Sequence, residues 1–475
     1  MLAKKIIKSQ YLWLIIIVFF GLVFRFRNFL MLPIDAHAMR QTDTECVAYF
    51  LAKGEASMLY PKSCLIRPVD NFEGYFFLEF PAYEAVIALN YRFFGYDILV
   101  VRLVNLVLYV LAGVSLWWLV KEWFENKLMA LLALFTFSLA PGSIFFLGHA
   151  IHPDLFAVFS WLLGVAILLK KKNLFWIILA GLFLGLSVAT RPFILIGWPL
   201  VIAVLFKKKY KWFEMFCIFG LMLGIYGWWR WWIWKLGVNV VWENWVLSGG
   251  EGLFNLGLLK NLVWKNVVGE VMGKAISLTA VMGLVLSLVK KDIKMWPFWG
   301  WLAMVPIYWG LVFEGNLTHQ YYADVYIVPV VVLAAYGLVH LVKKNVYILV
   351  LFIILIIING WRTSQYYFND YDKQNIDIAN EIEKMVPENK KIIYLYRANS
   401  VPLSLAHRQG WIVGEWPTDV GSHAWSVVQM KPLGVALVVL PKVGYPGLVG
   451  EDLRVVLQNL EIVDEGKYIK VYRFK

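Results

Sequence analysis

The chain has 475 residues, of which 60% are hydrophobic and only 16% charged, with a mean hydropathy of +0.65. Ordinary globular chains run roughly 45–50% apolar and about 25% charged, so soluble domains, a disordered chain and a disulfide-stapled secreted fold are all excluded. The net charge of +13 lies in short basic clusters between apolar runs, which marks membrane topology rather than nucleic-acid binding.

Hydropathy marks about eleven runs able to cross a bilayer, where ~20 residues is typical and ~15 suffices for a tilted or protein-buried helix. They are 11–31, 99–120, 128–147, 155–169, 173–189, 193–206, 212–234, 275–289, 295–313, 325–342 and 346–361. Alternate ends carry Lys4, Lys5 and Lys8; Lys121 and Lys127; Lys170, Lys171 and Lys172; Lys207, Lys208, Lys209 and Lys211; Lys290, Lys291 and Lys294; and Lys343 and Lys344. The short loops of the other set, 148–154, 190–192 and 314–324, hold a single basic residue, Arg191. By the positive-inside rule the N-terminus is expected in the cytoplasm and the C-terminus outside. The first run is too long for a cleaved signal peptide, and no small-residue cleavage site follows it.

All long connections then fall outside: 32–98, 235–274 and a tail from 364 onward. The expected organisation is a membrane module over 1–363 and a small soluble α/β domain over 364–475. In the tail, 376–386 has helical periodicity and stops at Pro387. Strands are expected at 392–396, 435–440 and 468–474, with a helix near 450–460. The Trp-rich stretch 227–234 is expected to be an interfacial aromatic belt, and 250–274 an amphipathic helix on the interface.

Four clusters carry chemistry. The first loop opens with Asp35, His37, Arg40, Gln41 and Asp43, charges costly beside a membrane unless they meet water or a partner. The loop 148–154 supplies His152 and Asp154; Pro153-Asp154 would also suit the start of a helix. Arg191 defies the charge bias and so calls for an anionic partner. The stretch 314–322 contributes His319, Tyr321 and Tyr322. Arg25 and Arg27, near the outer end of the first run, either bind an anion or snorkel to headgroups. Of three cysteines, none has zinc spacing; Cys46 and Cys64 share the first loop and are expected to bridge.

Three stretches resemble the GT-C superfamily of membrane glycosyltransferases, close to family 39, whose relatives include protein O-mannosyltransferases and aminoarabinose-to-lipid-A transferases. Asp35 through Thr44 is similar to a D-x-H-x-x-R-Q-x-D-T opening. Arg67-Pro68-Val69-Asp70 followed by Glu79-Phe80-Pro81-Ala82-Tyr83 is similar to RVD…EFPLY. The third is Tyr91-Arg92-Phe93-Phe94-Gly95. The resemblance implies an inverting transferase taking a sugar from a polyprenyl-phosphate donor to a lipid, glycan or protein acceptor at the outer membrane face, with no nucleic acid involved.

In that family the first acidic residue after the first span is the base, which maps to Asp35. Ala36 stands where the family often has a second acid, which leaves Asp43 as the alternative. Asp154 would orient the acceptor, or hold a divalent ion with Asp35 and His152; no cofactor is otherwise implied. Arg191, His319, Tyr321 and Tyr322 would meet the donor phosphate, with His37, Arg40, Gln41, Glu79 and His152 around the substrates. A polymerase or ligase of lipid-linked glycans and a lipid or solute transporter are the competing readings. Transporters place polar residues near the membrane midplane, whereas the acids and histidines here sit at loop boundaries.

Overall fold

The structure, a computed structural model, describes residues 9–237, 247, 249–396, 399–414, 419–444 and 447–475. The chain forms two compact units: residues 1–29 with 102–368, and residues 30–101 with 369–475. The second unit is therefore discontinuous, built from the first long loop together with the tail.

The first unit is helical. Its helices include Gln10–Arg25, Ile98–Phe124 (shared at its start with the second unit), Lys127–Leu139, Pro153–Lys170, Leu174–Thr190, Trp198–Lys207, Trp212–Lys235, Lys274–Val289, Ile327–Lys344 and Val346–Asn369. The runs expected to span are largely helical, but 11–31 is helical only through Arg25, 128–147 is broken at Ala140 into Lys127–Leu139 and Pro141–Phe145, 193–206 opens with the tight turn Pro192–Gly197, and 295–313 is broken at Met304 into Trp296–Ala303 and Val305–Leu311. Among the described residues five helices are long and apolar enough to cross a membrane, or six if one bent pair is a single span. The chain is an integral membrane protein.

Burial explains why these helices are apolar all round. In Pro153–Lys170, 89% of the most apolar window is packed inside the protein, as a central helix requires. In Trp212–Lys235 and Val346–Asn369 only 17% is buried, so side chains such as Phe216 and Tyr347 face outward and are solvated by lipid. Lys274–Val289 and Ile327–Lys344 pack through two glycines: a Cβ on Gly283 would lie 1.9 Å from the Leu333 carbonyl oxygen, and one on Gly337 would lie 2.4 Å from that of Thr279. Such small residues let membrane helices approach backbone to backbone.

Two expectations change here. The helix expected over 250–274 begins later: Gly250–Phe254 is a tight turn, Leu256–Val271 is helical with a widened π-helical part, and a 110° bend leads into Lys274–Val289. Residues 238–246 and 248 of that loop lie outside the described residues. Arg25 neither snorkels nor waits for an anion. It is fully buried, donating to the carbonyls of Gly21 (2.8 Å) and Ser143 (2.8 Å), with its guanidinium 3.5 Å from the centre of the Tyr109 ring.

The second unit is a five-stranded mixed sheet in the order β2-β1-β3-β5-β4, with β1 Ile392–Tyr394, β2 Gly410–Ile412, β3 Leu437–Pro441, β4 Leu460–Glu465 and β5 Ile469–Phe474. The expected helices are present as Gln374–Met385 and Gly450–Gln458. β2 and β4 escaped notice because three residues show no alternation and β4 is largely exposed on both faces. The first loop extends the sheet past β2: the Ile66 amide donates to the Gly410 carbonyl (2.8 Å) and the Gly410 amide to that of Cys64 (2.9 Å). Ile66 enters the core with Ile393, Trp411 and Val438. Cys46 and Cys64 are bridged, with Cα atoms 5.8 Å apart, which fastens helix Ala38–Lys53 to this segment.

Candidate functional site

The residues singled out in the sequence fall into two clusters, one within each unit.

In the second unit, His37 adopts a left-handed conformation (φ 58°) immediately before helix Ala38–Lys53. That turn folds Asp35 back onto the first helical turn, where Gln41 donates to its Oδ1 at 2.6 Å and to the Ala36 carbonyl at 2.9 Å. Both side chains are buried. Arg40 forms an ion pair with Glu79. Asp43 is half-buried, and its Oδ1 has no hydrogen-bond partner among the described residues. Burial pushes its carboxyl up to about 6, against the opposing pull of Arg67 and Arg40. Of the two candidate bases, Asp35 is thus held in place, and Asp43 has a proton affinity suited to exchange near neutral pH.

Three further motif residues make contacts within this unit. Arg67 pairs with Asp419 at 2.6 Å. Tyr91 donates to Glu45 (2.8 Å), and Arg92 donates to the carbonyls of Leu51 (2.7 Å) and Ala52 (3.1 Å), satisfying the C-terminal end of helix Ala38–Lys53. Glu45 also meets His407 Nε2 at 3.0 Å.

In the first unit, Asp154 lies in the first turn of helix Pro153–Lys170 but makes no capping bond; the N-cap is His152. Its carboxylate instead accepts from Arg191 at 2.6 Å and lies 3.2 Å from His152 Nδ1. Arg191 thereby has the anionic partner that its position called for. Burial alone would lower its proton affinity; the Asp154 carboxylate outweighs this and holds the guanidinium firmly charged. Tyr321 covers the pair, its ring centre 5.7 Å from the guanidinium and 4.4 Å from the His152 ring. His319 Nδ1 lies 2.8 Å from the Thr318 hydroxyl, with the rings of Tyr321 and Tyr322 at 5.3 and 5.9 Å.

Three further residues belong to this cluster. Arg102 and Asn105 on helix Ile98–Phe124 are fully buried and donate to the His149 carbonyl, and Asn105 also to that of Ala150 (2.9 Å), fixing the loop that leads to Asp154. Asp324, one residue before the run expected at 325–342, is a buried carboxyl with neither oxygen hydrogen-bonded among the described residues. The rule that flagged Asp35, a charge at the mouth of a span, would have flagged it too.

A divalent ion on Asp35, His152 and Asp154 is one of the two alternatives that the sequence leaves for Asp154. Among the described residues no group of three or more His, Cys, Asp or Glu side chains is gathered to hold a metal ion. Arg191 already neutralises Asp154, and a second cation there would be repelled.

No family model and no curated protein matches the sequence. Solved structures do match. ArnT from Cupriavidus metallidurans bound to undecaprenyl phosphate is similar over 97% of this chain and 97% of that one, with a TM-score of 0.61 and 12% identity. The apo oligosaccharyltransferase from Archaeoglobus fulgidus is similar over 91% of this chain and 69% of that one, at TM-score 0.59 and 14% identity. Both are GT-C glycosyltransferases. This chain has the GT-C fold. The resemblance read from the Asp35–Thr44 opening therefore extends to the architecture of the GT-C superfamily: a helical membrane body with a small mixed sheet in the tail.

Proposed function

We propose that the protein is an inverting glycosyltransferase that moves a sugar from a polyprenyl-phosphate donor to an acceptor hydroxyl on a lipid, glycan or protein. The observation that carries this reading is the likeness over 97% of both chains to ArnT, a GT-C protein whose structure holds undecaprenyl phosphate. The lysine clusters put the long loops and the tail outside the plasma membrane, so the reaction is assigned to the extracytoplasmic face.

The chemistry needs one base. The acceptor oxygen attacks the anomeric carbon while the bond from that carbon to the phosphate oxygen breaks; polyprenyl phosphate leaves with the electron pair, and the hydroxyl proton passes to a carboxylate. Asp35 is assigned that role because Gln41 fixes its geometry; Asp43 is the alternative. Asp154 orients the acceptor. Arg191, whose Nε has no hydrogen-bond partner among the described residues, keeps a donor for a phosphate oxygen, joined by His319, Tyr321 and Tyr322. His37, Arg40, Gln41, Glu79 and His152 frame the substrates, and no step is routed through a metal ion.

The test is sugar transfer by the full chain in lipid nanodiscs from a panel of polyprenyl-phosphate sugars. Asp35→Asn keeps the acceptor atom for Gln41 and is expected to lower turnover at least about 100-fold with unfolding unchanged. Normal turnover in Asp35→Asn with a dead Asp43→Asn moves the role to Asp43; normal turnover in both overturns the reading.

A further inference from the structure

Residues 146–154 lead from helix Pro141–Phe145 into helix Pro153–Lys170 in the first unit, and all of them are buried. The backbone leaves the helical path here, with His152 extended (φ −129°, ψ 132°). That extension has a use. Side chains two apart on a helix do not face each other, yet His152 Nδ1 lies 3.2 Å from Asp154 Oδ2, a contact that the unwound backbone allows.

Unwinding leaves buried carbonyls that must find donors. In a continued helix the His149 carbonyl would accept from residue 153, but that residue is Pro153, which has no N–H. The Ala150 carbonyl accepts from the His152 amide at 3.0 Å. Helix Ile98–Phe124 supplies the other donors. Arg102 donates to the His149 carbonyl, and Asn105, three residues on along the same face, donates to it at 3.3 Å and to the Ala150 carbonyl at 2.9 Å. Both side chains are fully buried. The other end of the loop is fixed separately by Arg25, packed so closely that a Cβ on Gly148 would lie 2.0 Å from its Nε.

A continuous line of contacts results. Asn105 and the His152 amide share the Ala150 carbonyl, the His152 ring meets the Asp154 carboxylate, and that carboxylate accepts from Arg191 at 2.6 Å. A continuous helix would need neither a buried arginine nor a buried asparagine beside it. Polar side chains inside a membrane body are costly and mark functional ground, and what these two maintain is the backbone shape that places His152 and Asp154.

We propose that Asn105 is a positioning residue that acts through His152 and Asp154 to hold Arg191 where it meets the donor phosphate, with Arg102 supporting the same loop. The assignment rests on the glycosyltransferase reading and deepens it.

The experiment measures binding of undecaprenyl phosphate to the full chain in nanodiscs, a readout that needs no turnover. Asn105→Leu is expected to weaken binding about ten-fold. Because the effect runs through the carboxylate, the same substitution made in Asp154→Asn should change affinity by less than about two-fold. A residue that only steadied the fold would weaken binding equally in both backgrounds. A second readout needs no ligand: the melting temperature lost in Arg191→Met should shrink by about half or more when Asn105→Leu has already displaced Asp154. Asn105→Ala takes the place of Asn105→Leu if the latter does not fold; if neither folds, Asn105 is structural and the proposal is overturned. Unchanged affinity, equal weakening in both backgrounds, or an undiminished loss in Arg191→Met overturns it as well, while the glycosyltransferase reading stands. A wild-type protein that neither binds undecaprenyl phosphate nor transfers any sugar overturns that reading, and the phosphate role of this line of contacts with it.

Discussion

The ion pair between Arg191 and Asp154 offers the most quantitative test. The carboxylate is 2% exposed and the guanidinium 14%, with the atoms 2.6 Å apart. Opposite unit charges ~4 Å apart attract by about 4 kcal/mol at an effective dielectric near 20, and desolvating both groups offsets much of this. The asymmetry on mutation is therefore larger than the net value of the pair. Arg191→Met leaves a buried carboxylate with only His152 beside it and is expected to cost ~3–5 kcal/mol. Asp154→Asn/Arg191→Met removes both charges and should cost about 1 kcal/mol or less. Equilibrium unfolding in mixed detergent micelles, run as a double-mutant cycle, should return a coupling energy of at least ~2–4 kcal/mol, the Arg191→Met loss less the double-variant loss, before the Asp154→Asn loss is added. If the double variant instead loses the sum of the two single losses, or Arg191→Met costs under about 1 kcal/mol, the pair is not a buried partnership and the charge argument fails.

Asp43 should show itself through pH. Its folded-state value of about 6 lies above the ~3.9 of an unfolded chain, so its contribution to stability is greatest below about pH 4 and is lost as pH rises through about 6; Asp43→Asn should lack that slope in an unfolding titration. If Asp43 rather than Asp35 takes the acceptor proton, the transfer rate should climb through the same window and the climb should vanish in Asp43→Asn. At Gly283 a methyl group would meet the Leu333 carbonyl, so Gly283→Ala should force the two helices apart, costing ~1–3 kcal/mol, read as a lowered melting temperature. An unchanged value would mean the helices are not in backbone contact.

Hydropathy alone determined that this chain lives in a membrane, because no arrangement of 475 residues can hide 60% apolar composition from water. It also located the helices, since a lipid-facing or centrally buried helix must satisfy its backbone internally wherever it packs. The Asp35–Thr44 opening, with the Arg67–Tyr83 and Tyr91–Gly95 stretches, carried the resemblance to the GT-C superfamily, and the fold agrees with it. Three things were left to the tertiary structure. Joining loop 63–66 to β2 depends on a hydrogen-bond ladder between residues more than 340 positions apart, and local pattern does not encode such pairing. Arg25 reads in sequence like any interfacial arginine; the carbonyls of Gly21, Ser138 and Ser143 make it a clamp. Asp324 is one more carboxylate at a helix start until its neighbours are known. A cap, an ion pair and a buried carboxyl without a hydrogen-bond partner among the described residues share the same letters, and only the positions of the surrounding donors tell them apart.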